Sequence, residues 1–301
     1  MENNSRRKFM KTLGATLGAT GVIGSGSMLA SCNRVEEVSG DKITLLTSSG
    51  ELVEVDKSQL TPAEMPSLSE NQKRGRKGLP GRSWVMVIDL SKCRNARECM
   101  KACQSHHQLR PEQHHINVLQ MQETEHSSTY YMPKPCQHCD NPPCTKVCPV
   151  NATFKREDGI VLIDNERCIG CRFCVAACPY SARVFNWFEP RDAEKYEGVT
   201  YNIEANVPQK KGTISKCLFS ADRLREGQLP SCVSACPNGV YWFGDRNEDA
   251  VTNGTTKETV SFSKLLEDGA AYTLMKELGT LPRVYYLPPK DRAFPIESEQ
   301  L

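Results

Sequence analysis

Two short cysteine runs set the terms for this chain. Cys136-x2-Cys139-x4-Cys144-x3-Cys148 is followed by Pro149, and Cys168-x2-Cys171-x2-Cys174-x3-Cys178 by Pro179. Three thiols two residues apart wrap a tight loop around a common centre, and a three-residue gap puts Cys174 and Cys178 one helical turn apart. Pro179 then ends that turn and redirects the chain, and Gly170 lets its loop approach the centre closely. A β-branched segment, Ile160 to Ile163, delivers the chain to Cys168, and Val85 to Ile88 delivers it in the same way to Cys93. The segments after Cys148-Pro149, Cys178-Pro179 and Cys236-Pro237 also resemble one another, which signals a repeated unit rather than one continuous sheet.

This spacing is that of cubane iron–sulfur ligation, in which three cysteines hold one cluster and the fourth ligates another. The two runs complete each other. One [4Fe–4S] is assigned to Cys136, Cys139, Cys144 and Cys178, and a second to Cys168, Cys171, Cys174 and Cys148. Structural zinc is the competing reading, but zinc sites rarely pack four cysteines so closely, followed by proline, twice over.

The chain holds 15 cysteines among 301 residues, and six more stand in two incomplete groups. Cys93, Cys99 and Cys103 keep the same frame with Ala96 where a second cysteine would fall. In the group Cys217…Cys232-x3-Cys236, Ser220 stands where a Cys-x2-Cys pair beginning at Cys217 would be completed, a defect at the equivalent place. A cubane with three thiolates has one iron without a protein ligand, and that iron tends to be lost. Ala96 cannot ligate; the Ser220 oxygen can, though it matches iron less well than thiolate. One or two [3Fe–4S] clusters, an empty site, or a half held by packing or a disulfide all remain open here.

The whole pattern resembles the four-cluster ferredoxin-type electron-transfer subunit of DMSO reductase-family molybdoenzymes, which includes the polysulfide and tetrathionate reductase iron–sulfur subunits. The residues that carry the resemblance are Cys136-Gln137-His138-Cys139-Asp140-Asn141-Pro142-Pro143-Cys144, Cys168-Ile169-Gly170-Cys171, and Arg223, Gly227, Pro230, Cys232 and Cys236-Pro237. It implies an α+β fold, a duplicated bacterial two-cluster ferredoxin-like domain with long loop insertions. It also implies that Cys93, Cys99 and Cys236 face a third site, and Cys217, Cys232 and Cys103 a fourth; the family normally has cysteine at both Ala96 and Ser220. The partners implied are a molybdopterin catalytic subunit and a membrane quinone-reactive subunit or cytochrome.

The N-terminus points to export. Ser5-Arg6-Arg7-Lys8-Phe9-Met10-Lys11 has the form of a twin-arginine (Tat) signal, followed by a weakly apolar, glycine-rich stretch to Met28. Leu29-Ala30-Ser31-Cys32 resembles a lipobox, so Cys32 is the expected lipidated residue after removal of residues 1–31. An ordinary signal peptide is the alternative. The glycines argue against a transmembrane anchor, so attachment to the membrane is expected through lipid, with the protein facing the periplasm or cell envelope. Exported cysteine-rich chains usually form disulfides, but the twin-arginine route carries folded proteins that have received their cofactors first.

Residues 32–82 read as a linker with a small hairpin, Ile43–Leu46 and Leu52–Val55 around Ser48-Ser49-Gly50-Glu51. Lys73 to Gly78 reads as a solvated basic loop. Residues 83–245 form the pseudo-duplicated iron–sulfur domain, and 246–301 a C-terminal extension with a helix near Ser263–Leu278 and an extended segment from Pro282. Of the six histidines, His138 lies inside a cysteine run and is expected to pack beside a cluster or donate to sulfur. His106, His107, His114, His115 and His126 are expected as solvated loop residues.

The net charge of +2 gives no argument for nucleic acid. With no nucleophile motif, phosphate loop or substrate pocket in the sequence, a relay is the simplest reading: an electron-transfer subunit rather than an enzyme. A stand-alone lipid-anchored ferredoxin-like shuttle, and a structural zinc or disulfide protein, are the alternatives.

Overall fold

The computed structural model describes residues 42–46, 51–56, 58 and 67–290. The stretch expected as an export signal, Cys32 and residues 291–301 lie outside the described residues. The chain divides into two units, residues 1–66 and 67–301. In the first, β1 (Lys42–Leu46) pairs antiparallel with β2 (Leu52–Asp56), with Lys42 opposite Asp56, which is the hairpin expected from the two apolar runs.

The second unit is organised on β3 (Trp84–Asp89). Its side chains alternate between two apolar environments, as a strand's period of two requires. Met86 and Ile88 join the core that also holds the cysteines, whereas Val85 and Val87 pack with Trp242, Val251, Phe262 and Leu287. The sheet around it runs β12 (Thr259–Ser261), β11 (Ala250–Asn253), β10 (Tyr241–Asp245), β3, β13 (Val284–Leu287). Only β13 is parallel to its neighbour, with Val284 opposite Met86. The segment expected as an extension therefore supplies three strands to the sheet that leads into Cys93.

The remaining strands form two-stranded ribbons that link the cysteine groups in a ring. β4 (Asn117–Met121), after Cys103, pairs with β5 (Tyr130–Lys134), before Cys136. β6 (Thr153–Lys155), after Cys148, pairs with β7 (Val161–Ile163), before Cys168. β8 (Arg183–Phe185), after Cys178, pairs with β9 (Ile214–Lys216), before Cys217. The pairing of β10 with β3 closes the ring from Cys236 back to Cys93.

Each ribbon opens into a loop of one shape. The residue two places after the first cysteine has a left-handed backbone in all four groups: Asn95 (φ 58°), His138 (φ 43°), Gly170 (φ 68°) and Phe219 (φ 55°). Only one of the four is glycine, so the loop geometry is imposed even on side chains that resist it. At Gly170 itself the close approach is to the backbone of Gly212, whose carbonyl oxygen a Cβ would strike. Short helices follow the loops: α2 (Glu98–His106), α3 (Pro143–Lys146), α4 (Phe173–Ala176), α5 (Ala221–Arg225) and α6 (Ser231–Ala235). α2 packs on α6 and α3 on α4, bringing the first group to the fourth and the second to the third.

The basic stretch expected as a solvated loop is instead helix α1 (Glu70–Lys77). A capping box sets its start: the Ser69 hydroxyl accepts from the Gln72 amide and the Gln72 side chain accepts from the Ser69 amide. The Gln72 side chain is buried and also donates to Asp164 at 2.9 Å, and Gly75 lies where a Cβ would strike Ile203. Beneath the helix, Arg156 pairs with Asp158 and Glu204, all three side chains at most 3% exposed, and Arg225 also binds Glu204.

The helix expected over Ser263–Leu278 is shorter. α7 (Phe262–Asp268) stops at Gly269, where a Cβ would press on Leu287. The left-handed Ala270 (φ 48°) then turns the chain so that Tyr272 bridges to Tyr286, leaving one 3-10 turn at Lys276–Leu278.

Candidate metal centres

The two cross-complementing sets come together as the spacing requires. Cys136, Cys139, Cys144 and Cys178 line one cavity of about 330 Å³, with Pro142, Pro143, Pro179, Tyr180 and Arg183 in its walls. Cys148, Cys168, Cys171 and Cys174 line a second of about 290 Å³, walled by Val150, Ala152, Ile163, Ile169 and Ile214. In each, three thiols come from one run and the fourth from the other, because α3 and α4 lie against each other.

The first and fourth groups give a third cavity of similar size, about 280 Å³, lined by Cys93, Cys99 and Cys236 with Ala96 at its wall. The space is kept although one thiol is missing. In the fourth set Cys103, Cys217 and Cys232 are all buried, and the Cys232 thiol lies in the field of both Cys217 and Cys103. The Ser220 hydroxyl accepts the Ser231 amide at 3.2 Å.

Burial dominates the electrostatics. It pushes the Cys139 thiol up to about 12 and those of Cys99 and Cys217 up to about 11, so without a metal these thiols hold their protons. Cluster binding must displace them, which couples assembly to proton release. Against this, two cations are buried among the thiols. Burial alone would lower the Arg183 guanidinium, but Cys144, Cys174 and Cys136 outweigh it and its pKa is raised. Arg183 donates to Thr153 at 2.7 Å, while its Nε and Nη1 are buried without a hydrogen-bond partner. Lys216, fully buried, donates to the Val161 carbonyl and to the Cys217 carbonyl at 2.6 Å. A four-thiol pocket with a buried, only partly hydrogen-bonded guanidinium in its wall fits an anionic cluster, which would supply the charge that Arg183 lacks.

For His138 the donation to sulfur is not seen. Its ring is fully buried, stacks on Phe219 with ring centres 3.7 Å apart, and accepts the Val161 amide at Nδ1, leaving a buried Nε2–H with no acceptor among the described residues. Two other histidines depart from expectation. His107 and His115, expected in solvent, are 2% and 4% exposed. The chain after α2 folds under the loop at 202–206, and the His107 ring bonds the Ala205 carbonyl at 2.8 Å while His115 Nε2 meets the Ser215 hydroxyl. Burial lowers His107 to about 4 and His115 well below its ordinary value, so both are neutral at pH 7. His106 is half-buried and pairs with Asp222 at 2.9 Å.

One edge of this assembly is open. Cys171 is exposed, and around it Ile169, Phe173, Trp187 and Phe188 show large apolar surfaces to solvent. Arg172 stacks over Phe185 and Trp187 at 4.7 and 4.9 Å, holding the patch together. Among the described residues no helix is long and apolar enough to cross a membrane.

Comparison with known proteins bears on this arrangement. Two overlapping stretches, residues 127–199 and 167–240, match family models described as 4Fe-4S dicluster domains. The B subunit of the selenate reductase of Mesobacillus selenatarsenatis is 35% identical over 95% of this chain and 98% of its own length. The B subunit of the tetrathionate reductase of Salmonella typhimurium is 34% identical over 82% of this chain and 85% of its own. The iron-sulfur B subunit of a putative dimethyl sulfoxide reductase of Halobacterium salinarum is 38% identical over 68% of this chain and 79% of its own.

Proposed function

Because the chain belongs to the family of electron-transfer iron–sulfur subunits of DMSO reductase-family complexes, we propose that it is the single-electron relay of a membrane-associated respiratory oxidoreductase. The observation that carries this reading is the pair of adjoining four-thiol cavities, each completed by a cysteine from the other's run. Cubane clusters held there would accept and release single electrons, with potentials anywhere from about −700 to +450 mV set by charge, hydrogen bonds and exposure. The chain's own part is to hold them close, keep water out, and supply buried positive charge through Arg183 and Lys216. The shared loop geometry of the four groups and the ring of strand pairs support a duplicated ferredoxin-like α+β domain. The three-thiol cavity of Cys93, Cys99 and Cys236 suits a [3Fe–4S] cluster, Ala96 leaving the fourth corner without a ligand.

The partners proposed are a molybdopterin catalytic subunit and a membrane quinone-reactive subunit or cytochrome. The exposed apolar patch beside Cys171 is the surface best suited to receive one of them, and it favours a docked subunit over a freely diffusing shuttle. Redox titration of the anaerobic protein, followed by EPR, tests the relay. Reversible one-electron signals are expected, and Arg183→Met should lower the potential of the nearer cluster. A unit charge removed at roughly 5–10 Å, with an effective dielectric near 20, destabilises the reduced form by about 2–3 kcal/mol, on the order of 100 mV. A protein without reducible signals would end the relay reading.

We further propose export by the twin-arginine route and lipidation at Cys32, on the strength of Arg6-Arg7 and Leu29-Ala30-Ser31-Cys32. Arg6→Lys/Arg7→Lys should leave the protein in the cytoplasm, and Cys32→Ser should abolish labelling by radioactive fatty acid. Full labelling of the Cys32→Ser protein would refute the anchor.

A further inference from the structure

We propose that Cys103, His107 and His115 bind a single transition metal ion, zinc first among candidates, in place of a fourth iron–sulfur cluster. The three side chains are buried, and one ligand atom from each lies within 4.8 Å of the other two. Ligands around one tetrahedral ion stand roughly 3.5 Å apart at the usual zinc–sulfur and zinc–nitrogen lengths, so small side-chain adjustments close the site. The terminal ligands of a cubane point outward from separate irons and cannot be this near one another. This cluster of donors is therefore shaped for a single ion.

The supporting contacts point the same way. The His107 Nδ1 bonds the Ala205 carbonyl, which fixes the tautomer and leaves Nε2 as the free lone pair. His115 is held through Nε2 by Ser215, and its Nδ1 is buried with no partner among the described residues. A neutral imidazole nitrogen buried without a donor is costly unless something occupies its lone pair. Cys103 and His107 stand one helical turn apart, and His115 returns on the following strand-bound segment, so the site is built from one continuous stretch of chain. Among the described residues no further His, Cys, Asp or Glu donor joins these three within that distance, so the protein supplies three ligands.

A zinc ion at this place is redox-inert and would confine electron traffic to the sites that hold clusters. The inference does not depend on the relay reading, since Cys136 to Cys178 are untouched by it. The test is metal analysis with acid-labile sulfide on the anaerobically purified full chain and on His107→Ala and His115→Ala, with the Zn-edge X-ray absorption spectrum of the wild type. About one zinc per chain is expected, falling at least tenfold in both variants while iron and sulfide stay at the wild-type level. The wild-type spectrum should show sulfur at about 2.3 Å and two imidazole nitrogens at about 2.0–2.1 Å, which stands even if a variant fails to fold. Loss of iron and sulfide together in soluble, folded variants would overturn the proposal in favour of a histidine-ligated cluster. A wild-type protein without zinc, or with zinc lacking imidazole neighbours, would overturn it outright.

Discussion

Cys178→Ala should remove iron from the site built by Cys136, Cys139 and Cys144, and leave the cluster of its own run, Cys168 to Cys174, in place. The fourth thiol of the first cavity comes from the end of α4, and alanine offers that iron nothing. The four-iron centre should fall to three, a loss of about one iron per chain, with a new EPR signal of oxidised [3Fe–4S]. Cys148→Ala is the mirror experiment and should damage the other cavity, that of Cys168, Cys171 and Cys174. Loss of the cluster in the mutated run, with the partner run intact, would show that each run completes its own site and that the cross-ligation is wrong.

The second large effect is on stability. Glu204 binds both Arg156 and Arg225, with contacts of 2.6 Å to each, and its side chain is 3% exposed. Arg156 is fully buried and also donates to the Gly75 carbonyl at the end of α1 and to Asp158. Glu204→Ala leaves a guanidinium buried with one carboxylate instead of two, and removing one partner of such a group costs about 3–5 kcal/mol. Glu204→Gln keeps hydrogen-bonding capacity without the charge and should lose less. The urea midpoint of the cluster-loaded protein, followed by far-ultraviolet circular dichroism, measures both. A change below about 1 kcal/mol for Glu204→Ala would mean that the network is not carrying α1.

What could be read in the sequence was local. The spacing from Cys168 to Cys178 fixes loop, turn and exit within eleven residues, and the cavities form where that spacing puts them. The strand leading into Cys93 was equally plain from Val85 to Ile88. What could not be read depends on contacts far apart in the chain. His107 and His115 look like solvated loop residues until the carbonyl of Ala205 and the hydroxyl of Ser215 cover them, roughly a hundred positions later. The one local trace was the helical spacing from Cys103 to His107. The basic stretch after Ser69 carried a capping box that marks a helix start, but its charges masked the buried Gln72 and Gly75. The extended segment near Val284 was visible, yet its place beside β3 is a parallel pairing across some two hundred residues, which no periodicity records.

The central claim is that the cysteines hold clusters in graded sites: two complete, one short of a ligand, and one given over to a lone ion. Iron and acid-labile sulfide, measured on the same anaerobic preparation, test it most directly. The account predicts about eleven irons per chain with sulfide in near-equal amount, from two four-iron clusters and one three-iron cluster. Zinc in the cysteine sites with no labile sulfide would contradict it.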